Sequence, residues 1–68
     1  MAGSVARVTE ISAKSDTSFE DAIAVAVERA SQTLRGIMSA WVKEQEVQIS
    51  DGRITGYKVN LLITFVLE

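Results

Sequence analysis

The sequence contains no cysteine and no histidine. Without cysteine there are no disulfides and no thiolate metal sites. Without histidine the commonest metal ligand and the commonest general base are gone. Any metal would be a hard cation held by oxygen, such as Ca²⁺ or Mg²⁺. A basic excess is also missing: nine acidic residues against seven basic ones leave a net charge of -2. Nucleic-acid binders carry a basic patch or stripe, so no nucleic-acid partner is expected. The longest apolar-rich stretch, Leu61 to Leu67, is too short to span a bilayer. The N-terminus has Arg7 but no apolar core of a secretory signal. No membrane partner and a cytoplasmic location are therefore expected. Catalytic patterns are equally sparse. There is no paired-carboxylate motif, and a serine without a base partner is not a nucleophile. Gly52 and Gly56 flank a turn and do not make a phosphate loop. The expectation is a protein that is not an enzyme.

What is present fits one domain over residues 1–68, with 1–4 as a flexible end. A chain of this size buries only about 60% of the surface its unfolded form exposes. Small domains add disulfides, metals or partner subunits. With the first excluded, a homo-oligomer is the default.

Val5 to Ile11 reads as a first strand, with Thr9 and Ile11 on one face and Val8 on the other. Ser15 to Ser18 reads as a helix start. Ser15 can cap a free amide, and Asp16, Glu20 and Asp21 suit the positive end of the helix. Phe19, Ile23, Val27, Ala30 and Leu34 recur at helical spacing beside Ala22 and Ala26. Gly36 fits a helix stop. From Ile37 the period becomes two. Ala40, Val42 and then Gln45 or Val47 alternate with Ser39, Trp41 and Lys43, and a bulge near Glu44 to Glu46 accounts for the slipped phase. Asp51-Gly52 is a tight-turn signal. In the last strand Tyr57, Val59, Leu61, Ile63, Phe65 and Leu67 share one face, and Lys58, Asn60, Leu62, Thr64 and Val66 the other.

The fold class is therefore α+β: a β-α-β-β chain forming a three-stranded antiparallel sheet with one helix on one face. One helix cannot cover both faces. The uncovered face carries Trp41, Leu62 and Val66 among polar residues, and such a patch marks an interface or ligand surface.

The order and spacing of these pieces resemble the dodecins. The resemblance rests on Ser15-Asp16-Thr17-Ser18-Phe19, on Ala26-Val27-Glu28-Arg29-Ala30 with Thr33-Leu34, on Ala40-Trp41-Val42, and on Tyr57-Lys58-Val59 through Phe65-Val66-Leu67-Glu68. It runs from Val5 to Glu68. It implies a hollow homododecamer that binds flavins, riboflavin or FMN, in stacked pairs at subunit interfaces, and that stores or sequesters them without catalysis. Some relatives hold coenzyme A, and one branch binds calcium without the flavin site. The family's stacking Trp aligns with Ser39, its isoalloxazine-binding Gln with Lys58, an Arg near the phosphate with Glu46, and an Arg of the last strand with Val66.

The cofactor-binding candidates are thus Trp41, Ser39, Lys58 and Asn60. Trp41 is two residues from Ser39, on the same strand face. It can stack on a flavin from a shifted position, or fill an apolar contact between subunits as interface aromatics do. Lys58 can meet a phosphate or the flavin edge, or serve as a solvated strand lysine that protects an edge. Asn60 can hydrogen-bond a small planar ligand. The alternative function is a shell that has lost the flavin and is structural or calcium-binding. Glu44, Glu46, Asp51 and Glu68 are its candidate oxygen ligands, but their spacing matches no EF-hand loop, and no metal site is assigned.

Overall fold

The computed structural model describes residues 3–67. The chain runs β1 (Ala6–Ser15), α1 (Phe19–Thr33), β2 (Ile37–Ser50) and β3 (Arg53–Val66). The strand order is β1-β3-β2, and both outer strands pair antiparallel to β3. β1 and β2 therefore run parallel with β3 between them, and α1 is the crossover that such a pair requires.

The expected β-α-β-β arrangement is present, with three differences of detail. β1 is longer than the Val5–Ile11 reading. Ser12, Ala13, Lys14 and Ser15 continue the ladder against Asn60, Val59, Lys58 and Tyr57. Their weak strand propensity is overridden by backbone pairing with β3. The helix N-cap is Ser18, whose hydroxyl accepts from the Asp21 N–H at 2.9 Å. Ser15 instead ends β1. Its buried hydroxyl accepts from the Thr17 N–H at 2.9 Å and donates to Asp21 Oδ2 at 2.6 Å, tying strand end to helix start. The bulge falls at Lys43, between Val42 and Glu44, one residue before the expected segment. The ladder also slips between Ile37 and Ser39 and between Gln48 and Ile49.

Helix α1 buries Ala22, Ala26 and Ala30 against the sheet. These small residues let the helix axis lie close over β3. The fully buried Val59, Leu61 and Ile63 meet it there, bordered by Ile11, Phe19, Ile23, Leu34, Ile37, Val42 and Phe65. Each of the three β3 side chains contributes about 1.5–3 kcal/mol by leaving water. Phe19 packs edge-on to Tyr57, with ring centroids 5.1 Å apart. The helix stops at Leu34, which turns extended. Gly36 follows at φ 72, a left-handed conformation that redirects the chain into β2. Asp51 and Gly52 both have positive φ, 52 and 74, as the turn of a two-residue hairpin demands. The molecule is elongated, 57 × 20 × 14 Å, because the β2–β3 hairpin runs past the end of β1.

Candidate functional site

The sheet face opposite the helix has no cover among the described residues. The register arranges it in rows across β1, β3 and β2. One row is Val8, Thr64 and Ser39. The next is Glu10, Leu62 and Trp41, then Ser12, Asn60 and Glu44, then Lys14, Lys58 and Glu46. The face is thus apolar at one end, where Ala6 and Val66 join Val8, Leu62 and Trp41, and charged at the other.

Trp41 is 69% exposed, although it stands beside Leu62 on a folded surface. Burying an indole yields several kcal/mol of driving force in most folds, so this side chain is held out on an uncovered sheet. The regular alternation of β2 from Ser39 to Val42 puts it there, with Ala40 and Val42 directed at the helix side.

The structure brings three of the four binding candidates together. Ser39 and Trp41 sit on β2 in adjacent rows, and Asn60 lies one row further on β3. Asn60 Nδ2 donates to Glu44 Oε1 at 2.9 Å, which fixes the amide's orientation and leaves its carbonyl oxygen directed elsewhere. Lys58 is more remote. It is four residues from Leu62 along β3, about 13 Å, flanked by Lys14 on one side and Glu46 on the other.

The oxygen-ligand candidates do not converge. Glu44 is held by Asn60, and Glu46 Oε2 accepts from Gln48 Nε2 at 3.2 Å. Asp51 is in the hairpin turn at the far end of β2. Glu68 lies outside the described residues. Among the described residues there is no group of three Asp or Glu that could hold a metal ion.

Two features of this face are invisible in the sequence. The bulge turns Lys43 outward, and its ammonium reaches across β3 to Glu10 on β1, 3.4 Å away. Lys14 stands directly opposite Lys58. Both depend on how β1 registers against β3, which no local motif announces.

No helix among the described residues is long and apolar enough to cross a membrane. The family model described as Dodecin matches residues 5–68. Among solved structures, the dodecin from Streptomyces coelicolor is 38% identical, with a TM-score of 0.90, covering 100% of this chain and 97% of that one. A protein from Thermus thermophilus is 35% identical over 97% of both chains, also at a TM-score of 0.90. The calcium-chelating immunodominant antigen of Mycobacterium tuberculosis, a calcium dodecin with a novel calcium-binding site, is 36% identical at a TM-score of 0.81, covering 96% of this chain and 93% of that one. No curated protein sequence matches the chain.

Proposed function

The chain belongs to the dodecin family, and from that membership we propose that it is a cytoplasmic, self-assembling, non-catalytic binding protein whose ligand is a flavin stacked on Trp41. The hollow dodecamer is known for the family, and its members are known as non-catalytic flavin binders.

The observation that carries the reading is the 69% exposed indole on the uncovered sheet face. Stacking on an aromatic side chain contributes about 1–3 kcal/mol per ring. Leu62 beside Trp41 extends the apolar floor, and Ser39, Thr64 and Asn60 supply hydrogen-bonding groups at its margins. Lys58 reaches a ligand only at its far end. The chain's own chemistry is binding and orientation. A ring pressed against an indole is shielded from water, and its excited state is quenched by the electron-rich neighbour.

The test is a titration of riboflavin and FMN fluorescence with the assembled protein, beside a size measurement in solution. Quenching that saturates at one flavin or fewer per chain is expected. Unquenched flavin at micromolar protein sinks the proposal.

A second reading has its own support. The calcium dodecin of Mycobacterium tuberculosis is 36% identical over 96% of this chain. Here Glu10, Glu44 and Glu46 bring three carboxylates to the same open face. They do not gather within one chain, so a cation-binding shell draws its ligands from several copies around an axis. Under this reading the melting temperature rises with Ca²⁺ and falls with EDTA, and a value unmoved by both excludes it.

A further inference from the structure

Glu10, Leu62 and Trp41 form one row across β1, β3 and β2 on the open face. Lys43 sits in the bulge after Val42, between the levels of Leu61 and Asn60. Its ammonium nevertheless donates to both carboxylate oxygens of Glu10, at 3.4 and 3.5 Å. Neighbouring strands lie about 4.8 Å apart, so these two edge strands are separated by about 10 Å. The lysine stem and the glutamate side chain must span that width together. Glu10 is level with Leu62, so they cross β3 at the leucine, beside the indole and not on it. A lysine stem rests readily on apolar surface while its charged end stays in water. Trp41 is left 69% exposed and Leu62 half-buried.

The crossing is loose. Strong charge-assisted N–H···O bonds measure about 2.7–2.9 Å, and both contacts are longer. The two side chains are 45% and 47% exposed. Among the described residues no second carboxylate pairs with the lysine. Glu44, its neighbour in sequence, accepts from Asn60 Nδ2 at 2.9 Å instead. The bridge therefore opens at little cost.

We propose that the Lys43–Glu10 bridge is a strap across the floor beside Trp41, and that it opens to admit a planar ligand. The strap rests on the reading in which a flavin stacks on Trp41. A ring wider than the indole overhangs the next strand, where Leu62 is its floor and the closed strap fills the space. Only the open state then takes the ligand, and the apparent affinity is reduced by the fraction of chains that are closed. Salt screens the bridge, so ionic strength opens the strap. An uncharged ring thereby acquires a salt dependence that its own chemistry does not give it.

Riboflavin, which carries no phosphate, tests the strap by fluorescence titration of wild-type, Glu10→Gln and Lys43→Ala assemblies at low and at high NaCl. Each variant is expected to bind tighter than wild type at low salt, by up to about fivefold, the range that an exposed ion pair allows. High salt is expected to tighten wild type more than the variants. Salting-out of the ring acts on all three alike, so the difference between them is the readout. Equal affinity and equal salt response in all three overturn the strap and leave the stacking reading intact. Weaker binding in the variants also overturns it, because the bridge would then be part of the floor. A change of particle size in either variant does so too, since the pair would then belong to a contact between copies. No quenching in wild type or in either variant overturns the strap together with the stacking on Trp41.

Discussion

The ammonium of Lys43 lies 3.4 Å from a carboxylate oxygen of Glu10, although the two residues sit on opposite edge strands with β3 between them. A lysine reaches that far only because the bulge between Val42 and Glu44 turns it onto the open face. The bridge runs beside the row that contains Trp41 and Leu62. It borders the apolar end of the face and separates it from the charged end.

The pair is about half exposed on both sides, so its energetic weight is small. Exposed pairs contribute about 0.2–1 kcal/mol and are screened by salt. A double-mutant cycle with Lys43→Met and Glu10→Gln, read by urea unfolding at fixed protein concentration, is expected to give a coupling in that range that shrinks in 1 M NaCl. A coupling several times larger would mean that assembly buries the pair.

The core responds more strongly. Leu61 is fully buried beneath Ala22 and Ala26, and Leu61→Ala is expected to cost about 2–5 kcal/mol through lost transfer energy and a cavity. The reverse change is also unfavourable. Ala22 has no exposed surface, so Ala22→Leu pushes the helix off the sheet and is expected to cost about 1–3 kcal/mol. Denaturant midpoints must be compared at one protein concentration, since assembly shifts them. If Ala22→Leu proves neutral, the helix is not held as closely to β3 as the structure shows.

These two positions also show what the sequence disclosed. The alanines at helical spacing and the unbroken alternation from Tyr57 to Phe65 gave the helix, its buried face, β3 and the open face directly. The Asp51-Gly52 turn was equally legible, because only a few residues tolerate positive φ at both positions. The second half of β1 was not. Ser12, Ala13, Lys14 and Ser15 have no strand pattern of their own and are extended only because β3 pairs with them. That Ser39 and Trp41 share a strand face was readable from alternation alone, whereas the place of Asn60 one row away depends on the β2–β3 register and its bulge. The Lys14–Lys58 and Lys43–Glu10 relationships were not readable either, since each joins strands distant in sequence through a register set by turn and bulge.

The strand-to-helix junction offers a comparison of two serines. Ser18 is the N-cap, and Ser18→Ala is expected to cost about 1 kcal/mol by leaving the Asp21 N–H without its acceptor. Ser15→Ala removes two hydrogen bonds at a buried hydroxyl, to the Thr17 N–H and to Asp21 Oδ2. It orphans the Thr17 donor and is expected to cost about 1–3 kcal/mol. Thermal unfolding of the two variants should rank Ser15→Ala the less stable. The opposite ranking would mean that the Ser15 network forms only weakly in solution.

Trp41 is the chain's single tryptophan, so intrinsic emission reports on this residue alone. Two covers for it give different spectra. If a flavin stacks on the indole, the ligand-free assembly emits like a solvated tryptophan and is quenched by acrylamide. Riboflavin then extinguishes both the indole and its own emission at the same stoichiometry. If a second copy covers it, emission is already blue-shifted and protected from acrylamide without ligand, and riboflavin changes nothing. The stacked arrangement is expected. Under it, Trp41→Phe keeps a weaker site, because a smaller ring still offers a flat apolar face. Trp41→Ala loses about 1–3 kcal/mol of flavin affinity without changing particle size. A Trp41→Ala variant that falls apart into smaller species would instead assign the indole to contacts between subunits and leave the flavin reading without its anchor.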